Sequence, residues 1–198
     1  MPIPCPNEVR EILSDFHDRI RAVVDGAWEE WLALPYRGRF VFPARARAVI
    51  VFDFIARRAQ EEFDGDQNIK ALVKKQTVQF LFRDRVLTRF KKGNGKGIGS
   101  NITTQAVLDF VDPQRNIPGL VPDILKVEFC YTIGDMGFDL ENLEVVARNE
   151  NRRLWAYPLD RGATGAEVIV VPPPPASDDR PPIVTPKKPK TDSGENEQ

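Results

Sequence analysis

The sequence predicts an α+β domain: N-terminal amphipathic helices packed on an antiparallel sheet of about five strands, followed by a disordered C-terminal tail. Three observations carry this. Apolar residues recur at helical spacing through the first 63 positions. The period then changes from 3.6 to 2, and alternating segments dominate up to about residue 160. From Pro172 onward, proline supplies 8 of the 27 remaining residues and apolar side chains nearly vanish. A segment of that composition buries too little surface to offset its ordering entropy.

The first helix is marked by Val9, Ile12, Leu13, Phe16, Ile20, Val23, Val24, Ala27, Trp28 and Trp31, with Asn7 as its expected N-cap and Pro35 as its stop. A second opens at Pro43 and runs to about Phe63, where "DGDQN" breaks it. Val78, Phe80 and Phe82 then alternate with polar or smaller neighbours, and after a turn at Arg83–Arg85 the pattern resumes at Val86, Thr88 and Phe90, which reads as a hairpin. A glycine-rich segment leads to a short helix at about 103–111, and "DPQRNIPGLVP" is a loop. Val127, Phe129, Tyr131 and Ile133 share one strand face, and "LEVVAR" and "RLWAYPL" flank a polar turn to give a second hairpin. This assigns residues 7–161 to one domain, 162–171 to a candidate edge strand, and 172–198 to the Pro-rich tail.

Composition excludes several classes of function. With 41% hydrophobic and 29% charged residues the chain is globular, and no apolar run is long enough to span a membrane. The N-terminus lacks a basic region followed by an apolar stretch, so a secretory signal is not expected. Two cysteines, Cys5 and Cys130, make no disulfide framework, and a cytoplasmic location fits them. A single histidine, His17, excludes zinc sites built on several histidines. Neither a metal nor a cofactor is expected.

Formal net charge is −1, yet it is unevenly spread. Residues 69–96 hold nine basic side chains against one acidic, Asp84, a local +8. This segment ends in "RFKKGNGKGIGSN" (89–101), which invites comparison with phosphate-binding loops. A Walker A loop requires GxxxxGK[ST], whereas Gly99 is followed by Ser100 and Asn101. The dinucleotide fingerprint GxGxxG requires glycine where Ile98 stands, and a parallel βαβ unit where the pattern suggests an antiparallel hairpin. What survives is a general capacity to present backbone N–H groups to an anion beside lysines. The expected anion or nucleic-acid surface is therefore Lys74, Lys75, Arg89, Lys91, Lys92 and Lys96.

The segments "FDFIARRAQEEF", "KKQTVQFLFRDRVLTRFKKGNGKGIGSN", "DPQRNIPGLVPDILKVEFCY" and "RRLWAYPLD" resemble uncharacterised bacterial proteins encoded beside a helix-turn-helix regulator fused to a metallopeptidase-like domain, in pairs that look like toxin–antitoxin or phage-defence modules. The resemblance spans residues 7–161 and carries over no functional residue. It implies that the protein is the effector of such a module, with the neighbouring regulator or antitoxin protein as partner. The local +8 adds the expectation of a non-enzymatic binding component that contacts nucleic acid or an acidic partner through its basic 69–96 surface. Two other readings stay open. A metal-dependent nuclease would draw ligands from Asp53, Glu61 or Glu128, although Glu-x-Lys is absent from "PDILKVEF". A structural, oligomer-forming protein would self-associate through Trp28 and Trp31.

Overall fold

The structure is a computed structural model describing residues 3–35, 42–74, 77–94, 96–100, 104–112, 115, 117, 119–120, 123–134, 139–160 and 169–170. The expected disordered tail, 172–198, lies outside the described residues, as does all of 162–171 except Ile169–Val170.

Helical structure begins two positions earlier than an N-cap at Asn7 would place it. Helix α1 is Pro6–Leu13, with Pro6 in its first turn and Cys5 as the extended N-cap residue. Proline suits that place because its missing N–H would have had no intrahelical acceptor. The chain tightens through a 3₁₀ turn at Ser14–Phe16 and continues as α2, His17–Ala33. The expected single long helix is thus two α segments on one path. Helix α3 is Ala44–Phe63, with Pro43 at its N-cap, and α4 is Gln105–Val111. The side chain of Thr104 caps α4 by accepting from the Val107 N–H.

Among the described residues the strands are β1 (Ile69–Lys74), β2 (Thr77–Phe82), β3 (Val86–Lys92), β4 (Leu125–Ile133), β5 (Leu140–Asn149), β6 (Arg152–Pro158) and the two-residue β7 (Ile169–Val170). They form one sheet in sequence order. The α+β class therefore holds, with two refinements. The sheet is mixed, because β3 and β4 run parallel while every other pair is antiparallel. It also has an edge strand, β1, that the alternation from Thr77 onward did not include. A parallel pair needs a crossover, and residues 93–124, with α4, supply it.

Strand alternation divides the sheet into two unlike faces. Helices α1–α3 cover one face through Phe80, Phe82, Phe90, Val127, Phe129, Tyr131, Val145, Trp155 and Tyr157, all buried. Aromatic rings meet edge to face across this layer, Phe16 with Phe82 at 5.1 Å between centroids and Phe63 with Phe80 at 5.2 Å. The phenylalanines that neighbour the basic residues in sequence are therefore core, as the alternation indicates, and offer no stacking platform.

The second face is covered by the crossover. Helix α4 packs Phe110 and Val111 on Leu81, Leu87 and Ile124. Its C-terminal end is held by Lys126, whose ammonium donates to the carbonyls of Asp109, Asp112 and Arg115 at 2.6, 2.8 and 2.5 Å. Cations suit this position because unpaired carbonyls collect at the end of a helix.

His17 ties α2 to β6. Its Nε2 lies 3.2 Å from the Tyr157 hydroxyl, and the Arg10 guanidinium stacks over the same tyrosine ring. Burial, then Arg10, pushes the imidazole below its usual pKa, against smaller opposing effects of Asp18 and Asp15. Because the unfolded chain binds this proton more readily, the contribution is intact above the ordinary histidine pKa of about 6.5 and is lost as pH falls below it toward the folded value. Thermal unfolding of the wild type should therefore show Tm falling from pH 7.5 to pH 5.5. In His17→Phe that part of the fall should disappear, and an unchanged slope would refute the assignment.

Candidate functional site

The strand before the glycine segment, β3, pairs with β2 as the expected antiparallel hairpin, and it also pairs parallel with β4, so the segment opens a parallel crossover. It nevertheless does not form an open cradle. Gly93 and Gly99 pair as an antiparallel bridge, and the Ser100 N–H donates to the Lys92 carbonyl at 2.8 Å. Between them the Asn94 N–H donates to Ile98, while the Asn94 side-chain oxygen accepts from Lys96 N–H at 2.9 Å. The segment is a small hairpin folded back over the second sheet face, where Ile98 is buried with Cys130, Val146 and Ala156.

Beneath it sits a buried charge cluster. Arg89 on β3 is opposite Glu128 on β4, and its Nη2 and Nε donate to Glu128 Oε1 at 2.6 and 3.0 Å. Glu128 Oε2 accepts the Gly99 N–H at 3.0 Å and faces Arg148 Nη1 at 3.4 Å. Arg148 also donates to the Gly99 carbonyl at 2.9 Å and to the Glu150 carbonyl at 2.6 Å. Arg89, Glu128 and Arg148 are 3%, 0% and 7% exposed. The loop amide that an external phosphate would use is thus bonded to the protein's own carboxylate.

Each charge answers to its neighbours. Burial works to raise the Glu128 pKa, but Arg89 and Arg148 outweigh it and hold the carboxyl below its usual range. Burial lowers Arg89 against the pull of Glu128, and burial with Arg89 lowers Lys91. Cys130 is pushed up by burial and by Glu128, which leaves it an unreactive thiol.

The structure does not gather the expected basic residues on one surface. Lys91 stands half-buried on the second face beside Arg89, whereas Lys92, one position on, points to the helix face. Lys96 is exposed at the hairpin tip. Lys74 ends β1 opposite Thr77, with its side chain outside the described residues, and Lys75 lies outside them entirely. Much of the remaining charge in 69–96 is paired: Lys70 with Asp84 at 2.7 Å, Arg85 with Glu8 at 2.6 Å, and Arg83 with Asp15.

The nuclease candidates are likewise separated. Glu128 is enclosed on the second face, while Asp53 and Glu61 are exposed on α3, and Glu61 pairs with Arg57. Among the described residues no three His, Cys, Asp or Glu side chains are grouped so as to hold a metal ion. Trp28 and Trp31 turn inward, 8% and 2% exposed.

Among the described residues, cations without partners collect elsewhere. A cleft of about 160 Å³ lies where α2 ends, α3 begins and strands β3 and β4 run out, lined by Trp28, Trp31, Arg47, Lys92, Ile133 and Gly134 among others. Neither the Arg47 nor the Lys92 side chain makes an ion pair or hydrogen bond among the described residues, and the same holds for exposed Arg45 nearby. A carboxylate next to a lining residue is that of Glu141, over Gly134, and it pairs with neither cation. Around this end Leu32, Phe42 and Val49 are exposed by 38%, 38% and 51%.

Of these cations the expected anion surface included only Lys92. A signal for the others was available: residues 31–52 contain Arg37, Arg39, Arg45 and Arg47 and no acidic residue. Over residues 1–68 as a whole it is hidden, because 12 acidic side chains there outnumber 9 basic ones. No protein-family model, curated protein or solved structure matches this chain.

Proposed function

We propose that the chain acts by binding rather than by catalysis, as one member of a toxin–antitoxin-like or defence pair, and that it engages an acidic protein partner through the end of the helical layer where α2 meets α3. The observation that carries this reading is that Arg47 and Lys92, unpaired among the described residues, line one cleft, while Arg45 and the exposed Leu32, Phe42 and Val49 lie on the end of α2 and the start of α3 around it. Arginine and large apolar side chains together are the composition of a protein interface. Nucleic acid calls instead for a track of cations along a backbone, and the segment with that composition spends much of its charge on internal ion pairs. The resemblance of residues 7–161 supplies the kind of partner, a regulator encoded beside it.

The test is co-expression of the tagged chain with the product of the adjacent gene. Retention of that product should fall about tenfold or more when Arg45→Glu and Arg47→Glu are combined, since rim and core charge reversals at an interface cost several kcal/mol. Lys70→Glu with Lys96→Glu should leave it unchanged. Retention indifferent to the first pair, sensitivity to the second, or co-purification of nucleic acid in place of protein would each overturn the proposal.

A further inference from the structure

The cleft itself has properties that a flat interface would not need. Two cationic side chains enter its walls without a counter-charge among the described residues, and two indoles and Ile133 supply apolar lining. A half-buried cation loses hydration and gains nothing in return unless an anion reaches it. The first turns of the 20-residue helix α3 border the same space and add positive potential. The volume accommodates several waters, and therefore one side chain of an incoming segment.

From this we infer that the cleft is a socket for an acidic side chain carried next to an apolar one on an extended segment of the partner. The carboxylate meets Arg47 and Lys92, while the apolar neighbour covers Leu32, which follows the lining residue Trp31 at the end of α2. The inference rests on the acidic-partner reading above and gives it an anchor point. It commits to a peptide rather than a nucleotide because the cationic pair is recessed among apolar side chains and does not continue along a groove.

Trp28 and Trp31 make the test direct, since two of the three tryptophans of the chain line the cleft. The full chain is titrated, with tryptophan fluorescence as readout, against an N-acetylated hexapeptide of alternating aspartate and leucine. The same titration is run with an alternating lysine–leucine hexapeptide, with acetate, and with a thymidine decanucleotide. A saturable change with the acidic peptide alone is expected, and Lys92→Gln should weaken it about tenfold. Ala48→Leu, which fills the cleft without removing a charge, should abolish it while the near-ultraviolet circular dichroism stays native. The inference is overturned if the acidic peptide gives no saturable change, if the lysine peptide or the decanucleotide binds as well, or if both variants titrate like the wild type. Should the co-expressed partner still be retained through Arg45 and Arg47 in any of those cases, the socket fails and the binding function stands.

Discussion

Glu128→Gln should lower the stability of the domain by about 3–5 kcal/mol, the loss expected when one member of a buried ion pair is removed and its partners stay charged. The substitution keeps the shape of the side chain but leaves Arg89 and Arg148 facing each other without the carboxylate between them. It also exchanges a charged acceptor for a neutral one at the Gly99 N–H. For a domain of this size the melting temperature should fall by something on the order of 10 °C. Adding Arg89→Met to Glu128→Gln should recover part of the loss, because it removes a buried charge that the first change left unpaired. Chemical denaturation of the wild type and the two variants measures both steps. A Glu128→Gln variant as stable as the wild type would mean that the cluster is not closed in solution.

Gly99→Ala should be more damaging than Gly93→Ala in the segment that first suggested a phosphate site. A Cβ at this position would stand 2.6 Å from Glu128 Oε2 and 2.7 Å from Lys91 Cβ. The second contact is the costly one, since a Cβ cannot rotate away and moving it displaces strand β3. Overpacking of this kind costs about 1–3 kcal/mol, and disturbing the Glu128 hydrogen bond adds to it. Gly93→Ala meets only Thr132 Oγ1, at 3.1 Å, and should be milder. Gly65→Ala tests a different term: its φ is +72° with open space around it, so only backbone strain is introduced. Melting temperatures should therefore rank Gly99→Ala lowest of the three, and any other lowest member would show that the hairpin is not pressed against β3 and β4.

These two results bear on why some of the molecule was readable in the sequence and some was not. Local periodicity located the helices and most strands because each buries one face on the same core: Val78, Phe80 and Phe82 alternate as a half-buried strand must. Strand β1 escaped because Leu72 breaks the alternation of lysines with Ile69, Ala71 and Val73, and because that apolar set is small, with Val73 55% exposed at the sheet edge. The parallel pairing of β3 with β4 depends on how the 93–124 connection returns over the sheet, and no period in β3 or β4 encodes a direction.

Charge was the least legible property. The local +8 of residues 69–96 is a fact about the chain, yet Glu8, Asp15 and Glu128 come from other elements to neutralise Arg85, Arg83 and Arg89. Sequence distance concealed those partners. Conversely, Arg47 sits in a basic stretch too short to offset the acids before and after it, but the fold sets it beside Lys92, 45 positions on, at one cleft. The glycine segment shows the same principle from the other side: its anion-binding capacity is real, and Glu128 already uses it.

That last point is the centre of the account, and hydrogen exchange at a single amide tests it most directly. The Gly99 N–H should exchange slowly, with protection comparable to the core amides of β4. In Glu128→Gln its exchange should accelerate relative to those same amides, and adding inorganic phosphate or a nucleotide to the wild type should leave it unmoved. A Gly99 amide that exchanges freely in the wild type and becomes protected or shifted only when phosphate is added would contradict the closed loop and restore this segment as an open anion site.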